Sequence, residues 1–385
     1  MKTLSGTLTA IHYKTGAPCS FLFKDGRLVS RSPARRIPTP KDDTPLYGPG
    51  FCDVQVNGFA GCDFNHPGTT ADNIVQALSR LKETGCTVVL PTLITAQTEV
   101  LHSLFQQLAL IPKKLPDRTQ VPGFHLEGPF ISPENGARGA HPLDAVQPPN
   151  RTAFLSLQKT AQGRITMVTL APETRDAIPF IRLLTKANII PALGHTMASS
   201  DDIQKAIRAG ALLSTHLGNG CPNLLDRHRN PLIAQMAEDA LGASFIPDGI
   251  HLPPAAFRAL WNAKSGATRL LTTDCMAAAH AKPGLHTIGT VTTEVGRDRI
   301  VRLPGSSVFA GSAITMDRAV PLAAKMANIP LWKAWDAAST TPIRLLSRSR
   351  AGRINPGTLF ARLQNDRLQI LGVLHGKTLQ TLQTL

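Results

Sequence analysis

Gly123-Phe124-His125-Leu126-Glu127-Gly128-Pro129 places a carboxylate at the end of a short apolar, β-rich run and follows it at once with a loop signal. Four other segments repeat the arrangement: Gly194-His195-Thr196, Ser214-Thr215-His216, Pro247-Asp248-Gly249 and Thr272-Thr273-Asp274. Polar residues at such places converge only if the strands run parallel and close into a barrel, where the strand C-termini share one face. One carboxylate and two imidazoles make a plausible three-protein-ligand metal set with a position left for water. Glu127, His195 and His216 are the candidate ligands. Asp274, which closes the last run, is the candidate proton carrier.

Working outward, strand-like and helix-like segments alternate. Strands are expected at Phe51–Val56, Thr87–Ile94, Val121–Glu127, Ile165–Leu170, Ile189–His195, Leu212–His216, Ala243–Asp248 and Arg269–Asp274. Helical spacing of apolar residues over Asp72–Leu81, with Gly85 as a stop, and over Asp202–Gly210 fills two of the gaps. Alternating βα units imply a parallel sheet with right-handed crossovers, and eight of them imply a TIM barrel.

The ends read differently. Lys24-Asp25-Gly26-Arg27 is a hairpin signal between Phe21-Leu22-Phe23 and Leu28-Val29-Ser30, and Ser32-Pro33 and Pro38-Thr39-Pro40 break the stretch after it. Near the other end a turn at Gly352–Gly357 precedes a strand at Leu368–Leu374. Neither end buries a core alone, so residues 1–48 and 346–385 are expected to form one small β-sandwich around a barrel of residues 49–345.

Composition narrows the function. The formal charge of +15 draws anionic ligands, but the bases lie in small clusters and only 5% of residues are aromatic, which argues against a nucleic-acid groove. There is no apolar run long enough to span a membrane, and Met1–Gly6, without a long apolar stretch, reads as mature structure and is not expected to be a signal peptide. Six scattered cysteines without a Cys-x-x-Cys pair fit free thiols in a cytoplasm. No Gly-x-Ser-x-Gly elbow, Gly-x-Gly-x-x-Gly fingerprint or P-loop is present, so serine-nucleophile and nucleotide chemistry have no motif behind them. In Asp53-Val54-Gln55-Val56-Asn57-Gly58, Gln55 and Asn57 fall on one face. Many metal-dependent barrel hydrolases hold a His-x-His pair here. Neutral amides are poor ligands beside imidazole, so Gln55 and Asn57 are a degenerate second metal site and one divalent ion is expected.

Read in order, these segments resemble the amidohydrolase superfamily, and within it the N-acetylglucosamine-6-phosphate deacetylases. The markers are Gly50–Gly58, His125-Leu126-Glu127-Gly128-Pro129-Phe130, Leu170-Ala171-Pro172-Glu173, Gly194-His195-Thr196, Thr215-His216-Leu217, Asp248-Gly249-Ile250-His251, Thr273-Asp274 and Ala310-Gly311-Ser312-Ala313, and the resemblance covers nearly the whole chain. It implies metal ligation by Glu127, His195 and His216, and Asp274 as catalytic acid/base. His141 would help bind and polarise the substrate; Ala140, Asn219, Gly220, Asp248 and His251 match sugar-site positions, and Phe309, Ala310 and Gly311 a late loop over the sugar. The ion implied is zinc, with iron or manganese as alternatives. A homodimer and an anionic amino-sugar substrate are implied as well.

The chain departs from the family after His216, where Leu217-Gly218-Asn219-Gly220-Cys221-Pro222 replaces Leu-(aromatic)-Asn-Ala-Met, and at Arg229-Asn230-Pro231-Leu232, which replaces Arg-(acidic)-Pro-Gly. Arg229 is the expected phosphate contact, with Arg227 as competitor. The activity implied is deacetylation of N-acetylglucosamine 6-phosphate. The alternatives are the same chemistry on another or unphosphorylated N-acetyl amino sugar or an N-acyl amino acid, and, more remotely, a non-catalytic sugar-binding protein.

Overall fold

The computed structural model describes residues 4–34, 44–264 and 268–382. The Pro38-Thr39-Pro40 break lies outside the described residues. Eight parallel strands form the central sheet: Phe51–Val56, Cys86–Ile94, Phe124–Glu127, Ile165–Leu170, Ile190–Leu193, Leu213–Ser214, Gly242–Phe245 and Arg269–Leu271, each beside the next in chain order. Two of them keep the expected bounds. Most of the others are shorter, because their predicted C-terminal residues leave the ladder.

The ring is nearly closed. No ladder joins its first and last strands; they meet instead through a parallel bridge between Val56 and Cys275 and the bond from Asn57 N to Cys275 O at 2.7 Å. The buried carboxylate of Asp53 reinforces this seam. It accepts Thr272 Oγ1 at 2.6 Å, Thr273 Oγ1 at 2.5 Å and the Thr273 backbone N–H at 3.2 Å. Burial raises the Asp53 pKa, and these bonds work against that rise.

Helices cover the outside of the ring. Ala71–Leu81 starts at a capping box of Thr70 and Asn73, and Ser200–Ala209 at one of Ser199 and Asp202 and ends on Gly210, whose φ of 114° suits glycine. Their apolar faces bury Ile74, Leu78, Ile203 and Ala206 against the outward-facing strand residues. Cys52, Val54, Leu90, Met167, Ile190 and Leu270 form a separate inner cluster.

Both ends of the chain enter one sheet, as expected, but it is a small closed barrel rather than a sandwich. Its order is Gly6–His12, Pro18–Lys24, Arg27–Pro33, Thr378–Thr381, Arg367–His375, Thr358–Gln364 and Leu46–Pro49, the last returning parallel to the first through Ile11 and Leu46. Lys24 and Arg27 flank the predicted hairpin turn. Ser32-Pro33 does not interrupt the chain; Pro33 is the last residue of its strand. Closure pairs every strand on both sides and turns the sheet's apolar face inward on itself. Trp335 Nε1 donating to Pro49 O at 2.9 Å and Tyr13 OH donating to Asp336 at 2.6 Å tie this barrel to the helices of the larger one.

A further sheet has no counterpart in the sequence-based reading: Gly284–Ile288, Val291–Val295 and Val301–Arg302, antiparallel, inserted after the last barrel strand. No described helix is long and apolar enough to cross a membrane. All six cysteines are free, four of them buried.

Candidate active site

Glu127, His141, His195, His216 and Asp274 meet at the C-terminal mouth of the large barrel, around a cavity of about 360 Å³. Of the five polar residues expected to close strands, only Glu127 is a strand residue; the others sit just beyond strand ends. His195, His216 and Asp274 have φ of 52°, 33° and 49°. The left-handed turn costs a non-glycine residue roughly 1–3 kcal/mol, a cost typical of functional sites. Here it bends each side chain off its strand and into the mouth.

Glu127 is the hub. Its Oε1 accepts Gln55 Nε2 at 2.7 Å, lies 2.9 Å from His216 Nε2 and 3.5 Å from His195 Nε2. Ligand atoms of Glu127, His141 and His195 lie within 4.8 Å of one another, so His141 enters the same cluster. His195 Nδ1 is 2.9 Å from Ala137 O, which fixes the proton there and leaves Nε2 bare. That Nε2 is buried and makes no hydrogen bond, and neither does His216 Nδ1. Unpartnered buried nitrogens are costly unless something absent from the polypeptide satisfies them. The carboxylate, the imidazoles and the bare nitrogen together fit a divalent cation. Burial opposes the charge on Glu127, but His195 and His216 outweigh it and hold the carboxyl well below its usual range. His216 is also opposed by burial and raised on balance by Glu127.

Asp274 stands beside this cluster. Its Oδ1 accepts Asn57 Nδ2 at 2.7 Å and Gln55 Nε2 at 2.9 Å. Gln55 and Asn57 do share a face, and both act as donors to the carboxylates. Burial, then the charge of Glu127, push the Asp274 carboxyl up to about 7. A carboxyl near neutrality can take and return a proton.

Around these groups the cavity is lined by Ala140, His141, Asn219, Gly220, His251, Phe309, Ala310 and Gly311, all anticipated. His141 Nδ1 is 2.7 Å from Thr95 Oγ1. Gly220 fits where a Cβ would come within 2.9 Å of His195 Nδ1, so this loop lies directly on the His195 ring. Asp248 is not in the lining; its Oδ2 lies 2.6 Å from His251 Nδ1 and its Oδ1 accepts the His251 backbone N–H, which orients that ring against Phe309. Arg229 and its competitor Arg227 are exposed and outside the cavity, and among the described residues no lysine or arginine lines it.

Sequence reasoning missed Asp53, Thr95 and Glu173. Glu173 accepts Thr196 Oγ1 at 2.5 Å and Met197 N at 2.7 Å, fixing the turn after His195. It also missed Ile288 and Val308 in the lining, although Ile288-Gly289-Thr290-Val291 is a readable two-residue hairpin turn. His125, beside Glu127 in sequence, is a core residue held near Val54 O and Thr169 Oγ1.

The description "Amidohydrolase family" matches residues 46–360. An N-acetylglucosamine-6-phosphate deacetylase of Bos taurus is 34% identical over 81% of this chain and 77% of its own length. An N-acetylgalactosamine-6-phosphate deacetylase of Shewanella sp. (strain ANA-3) is 32% identical over 80% and 76%. The crystal structure of the N-acetyl-D-glucosamine-6-phosphate deacetylase of Mycobacterium smegmatis superposes with a TM-score of 0.82 at 27% identity, covering 97% of this chain and 99% of that one. With the match spanning the barrel and the site groups assembled at its mouth, the chain belongs to the amidohydrolase family and, within it, to the N-acetylglucosamine-6-phosphate deacetylases.

Proposed function

We propose that this protein hydrolyses the acetamide of N-acetylglucosamine 6-phosphate, giving glucosamine 6-phosphate and acetate. The observation that carries this reading is the bare His195 Nε2 beside Glu127, with Asp274 one amide away through Gln55. Glu127, His195 and His216 would hold one divalent ion, zinc first and iron or manganese as alternatives. Such an ion supplies Lewis acidity, polarising an acyl oxygen and making water a stronger acid.

The polypeptide supplies the rest. Asp274 takes a proton from the attacking water while Asn57 and Gln55 hold its Oδ1 in place. The water oxygen bonds to the acyl carbon. His141, steadied by Thr95, faces the developing negative charge on the acyl oxygen. Asp274 then hands its proton to the sugar nitrogen as the C–N bond breaks, and acetate and amine leave. Gln55 and Asn57 are donors that occupy a second metal position without binding metal. His251, set by Asp248, with Asn219, Gly220, Ala140 and the Phe309–Gly311 loop, would seat the sugar. Because no lysine or arginine among the described residues lines the cavity, the 6-phosphate would be met by Arg229 or Arg227 of a second copy in a homodimer. In the same reading residues 49–345 are the hydrolase unit and 1–48 with 346–385 its supporting sheet. The enzyme is cytoplasmic, with a small anionic substrate and neither nucleic acid nor membrane as partner.

The Shewanella relative named an N-acetylgalactosamine-6-phosphate deacetylase is the ground for one second reading, the C4 epimer as substrate. Acetate release is to be measured from both epimers, each with and without the 6-phosphate, and from N-acetyl amino acids, with elemental analysis of the same sample. Release confined to the phosphorylated glucosamine derivative, lost on chelation and restored by metal, is the expected result. Release from none of them by protein carrying stoichiometric metal would sink the reading.

A further inference from the structure

The inserted hairpin Gly284–Ile288/Val291–Val295 forms part of the pocket wall. Its inner side packs Ile288 and Val295 on Ile94, Met276 and Ala277, and Ile288 reaches the cavity lining. Its outer side carries Leu285, 70% exposed. An apolar wall residue selects ligands by shape, so its position matters to binding, but an apolar patch alone can slide.

Arg299, in the turn after the hairpin, donates to Ala278 O and Ala281 O, and two further directional bonds fall at the wall itself, both made by one residue. Asp63, the last residue of the short strand Cys62–Asp63 that pairs with Gly58–Phe59 after the first barrel strand, is buried, and its Oδ2 accepts Thr287 Oγ1 at 3.0 Å and Gly289 N at 2.8 Å. These bonds fall on either side of Ile288. The other oxygen, Oδ1, accepts Asn65 N at 2.8 Å. Asn65 then knits the barrel mouth: its Nδ2 donates to Asn57 O and Thr92 O, and its Oδ1 accepts Ile94 N at 2.8 Å. Asn57 in turn donates to Asp274. One bonded path thus runs from the hairpin to the proton carrier's neighbour, and Asp63 is its only anionic joint with the hairpin among the bonds described.

We infer that Asp63 is a positioning residue for substrate binding: through Thr287 and Gly289 it latches the hairpin so that Ile288 forms a fixed wall of the active-site cavity. The inference rests on the proposed deacetylase reading for its kinetic readout but not for its structural one. Asp63→Asn turns one acceptor into a donor: facing the hairpin, the amide NH2 cannot accept from Gly289 N, and facing Asn65 it releases the residue that ties the latch to the barrel mouth, so the hairpin loses its fixed place either way. Thr287→Val removes one bond from the hairpin side alone, and Thr287→Ser keeps it.

The test combines steady-state acetate release from N-acetylglucosamine 6-phosphate with hydrogen exchange of residues 284–295 in the metal-loaded protein. Asp63→Asn is expected to raise KM about tenfold and Thr287→Val a few-fold, each with kcat within about twofold of the parent. Both should speed exchange in the hairpin, Thr287→Ser should restore parental values, and the double variant should be no worse than Asp63→Asn. A merely structural role would lower the active fraction, hence kcat, and leave KM alone; that result, or unchanged hairpin exchange, overturns the latch. If Asp63→Asn does not fold, Thr287→Val against Thr287→Ser decides. If the unaltered protein releases no acetate, the functional reading falls and the exchange data alone decide the latch.

Discussion

The mouth of the large barrel and the interior of the small one are both buried sheet surfaces, filled by opposite means. In the small barrel Phe21 meets Phe360 edge-on at 4.9 Å and Tyr47 at 5.1 Å, and Leu8, Ala10 and Leu371 fill the space between. At the mouth, Glu127, His195, His216 and Asp274 share a cavity, three of them on left-handed backbone and two with nitrogens left bare. Aromatic packing gains from apolar burial, with about 0.5–1.5 kcal/mol more per well-set ring pair. Burying charge and strained backbone costs stability, and the mouth tolerates it because the eight-stranded ring and its apolar interior hold it in shape. One region therefore answers to stability and the other to chemistry, and substitutions should separate the two.

The largest effect is expected from Asp274→Asn. The amide keeps a carbonyl for Asn57 and Gln55 but cannot carry the proton, so acetate release should fall by roughly 10²–10⁴-fold while the melting temperature and bound metal hold. An active Asn variant would refute the role given to Asp274. Phe360→Ala should do the reverse: a stability loss of about 3–5 kcal/mol in a denaturant titration, with kcat per folded molecule unchanged. If turnover fell with it, the small barrel would be part of the catalytic apparatus.

Asp53→Asn should blur the division, because its carboxylate closes the seam that carries Asp274. About 1–3 kcal/mol of stability and a measurable part of kcat should be lost together. The smallest effect is expected from pH. Burial, with Lys82, Arg118 and Lys114 nearby, lowers His375 in the small barrel to about 4. The folded state therefore keeps it neutral while the unfolded chain protonates near its usual 6.5. Its contribution is complete above 6.5 and is lost as pH falls toward 4. Melting curves at pH 7 and 4.5 should show a shallower acid loss for His375→Asn than for the parent; equal slopes would remove His375 as a cause.

The legible parts were those with a local signature. Val89, Val168 and Leu193 lie in short apolar, β-rich runs that read as buried strands, and the alternation of such runs with helical segments implied the parallel ring. Glu127, His195, His216 and Asp274 were legible because each polar residue ends such a run. The hairpin around Gly289 had a local signal that went unused. Arg229 shows the limit of motif transfer: a residue in the matching place of the sequence sits exposed and away from the cavity of its own chain.

The sequence alone determined the number and order of the barrel strands and which polar side chains reach their ends, since hydrophobic periodicity and chain direction are local properties. Tertiary structure alone decided that the termini close into a barrel, that His141 from a distant loop joins Glu127 and His195, and that Asp53 and Asp63 clamp the seam and the hairpin. These outcomes depend on distances between residues far apart in the chain, and on which buried oxygen finds which donor, and no local pattern of residues encodes them.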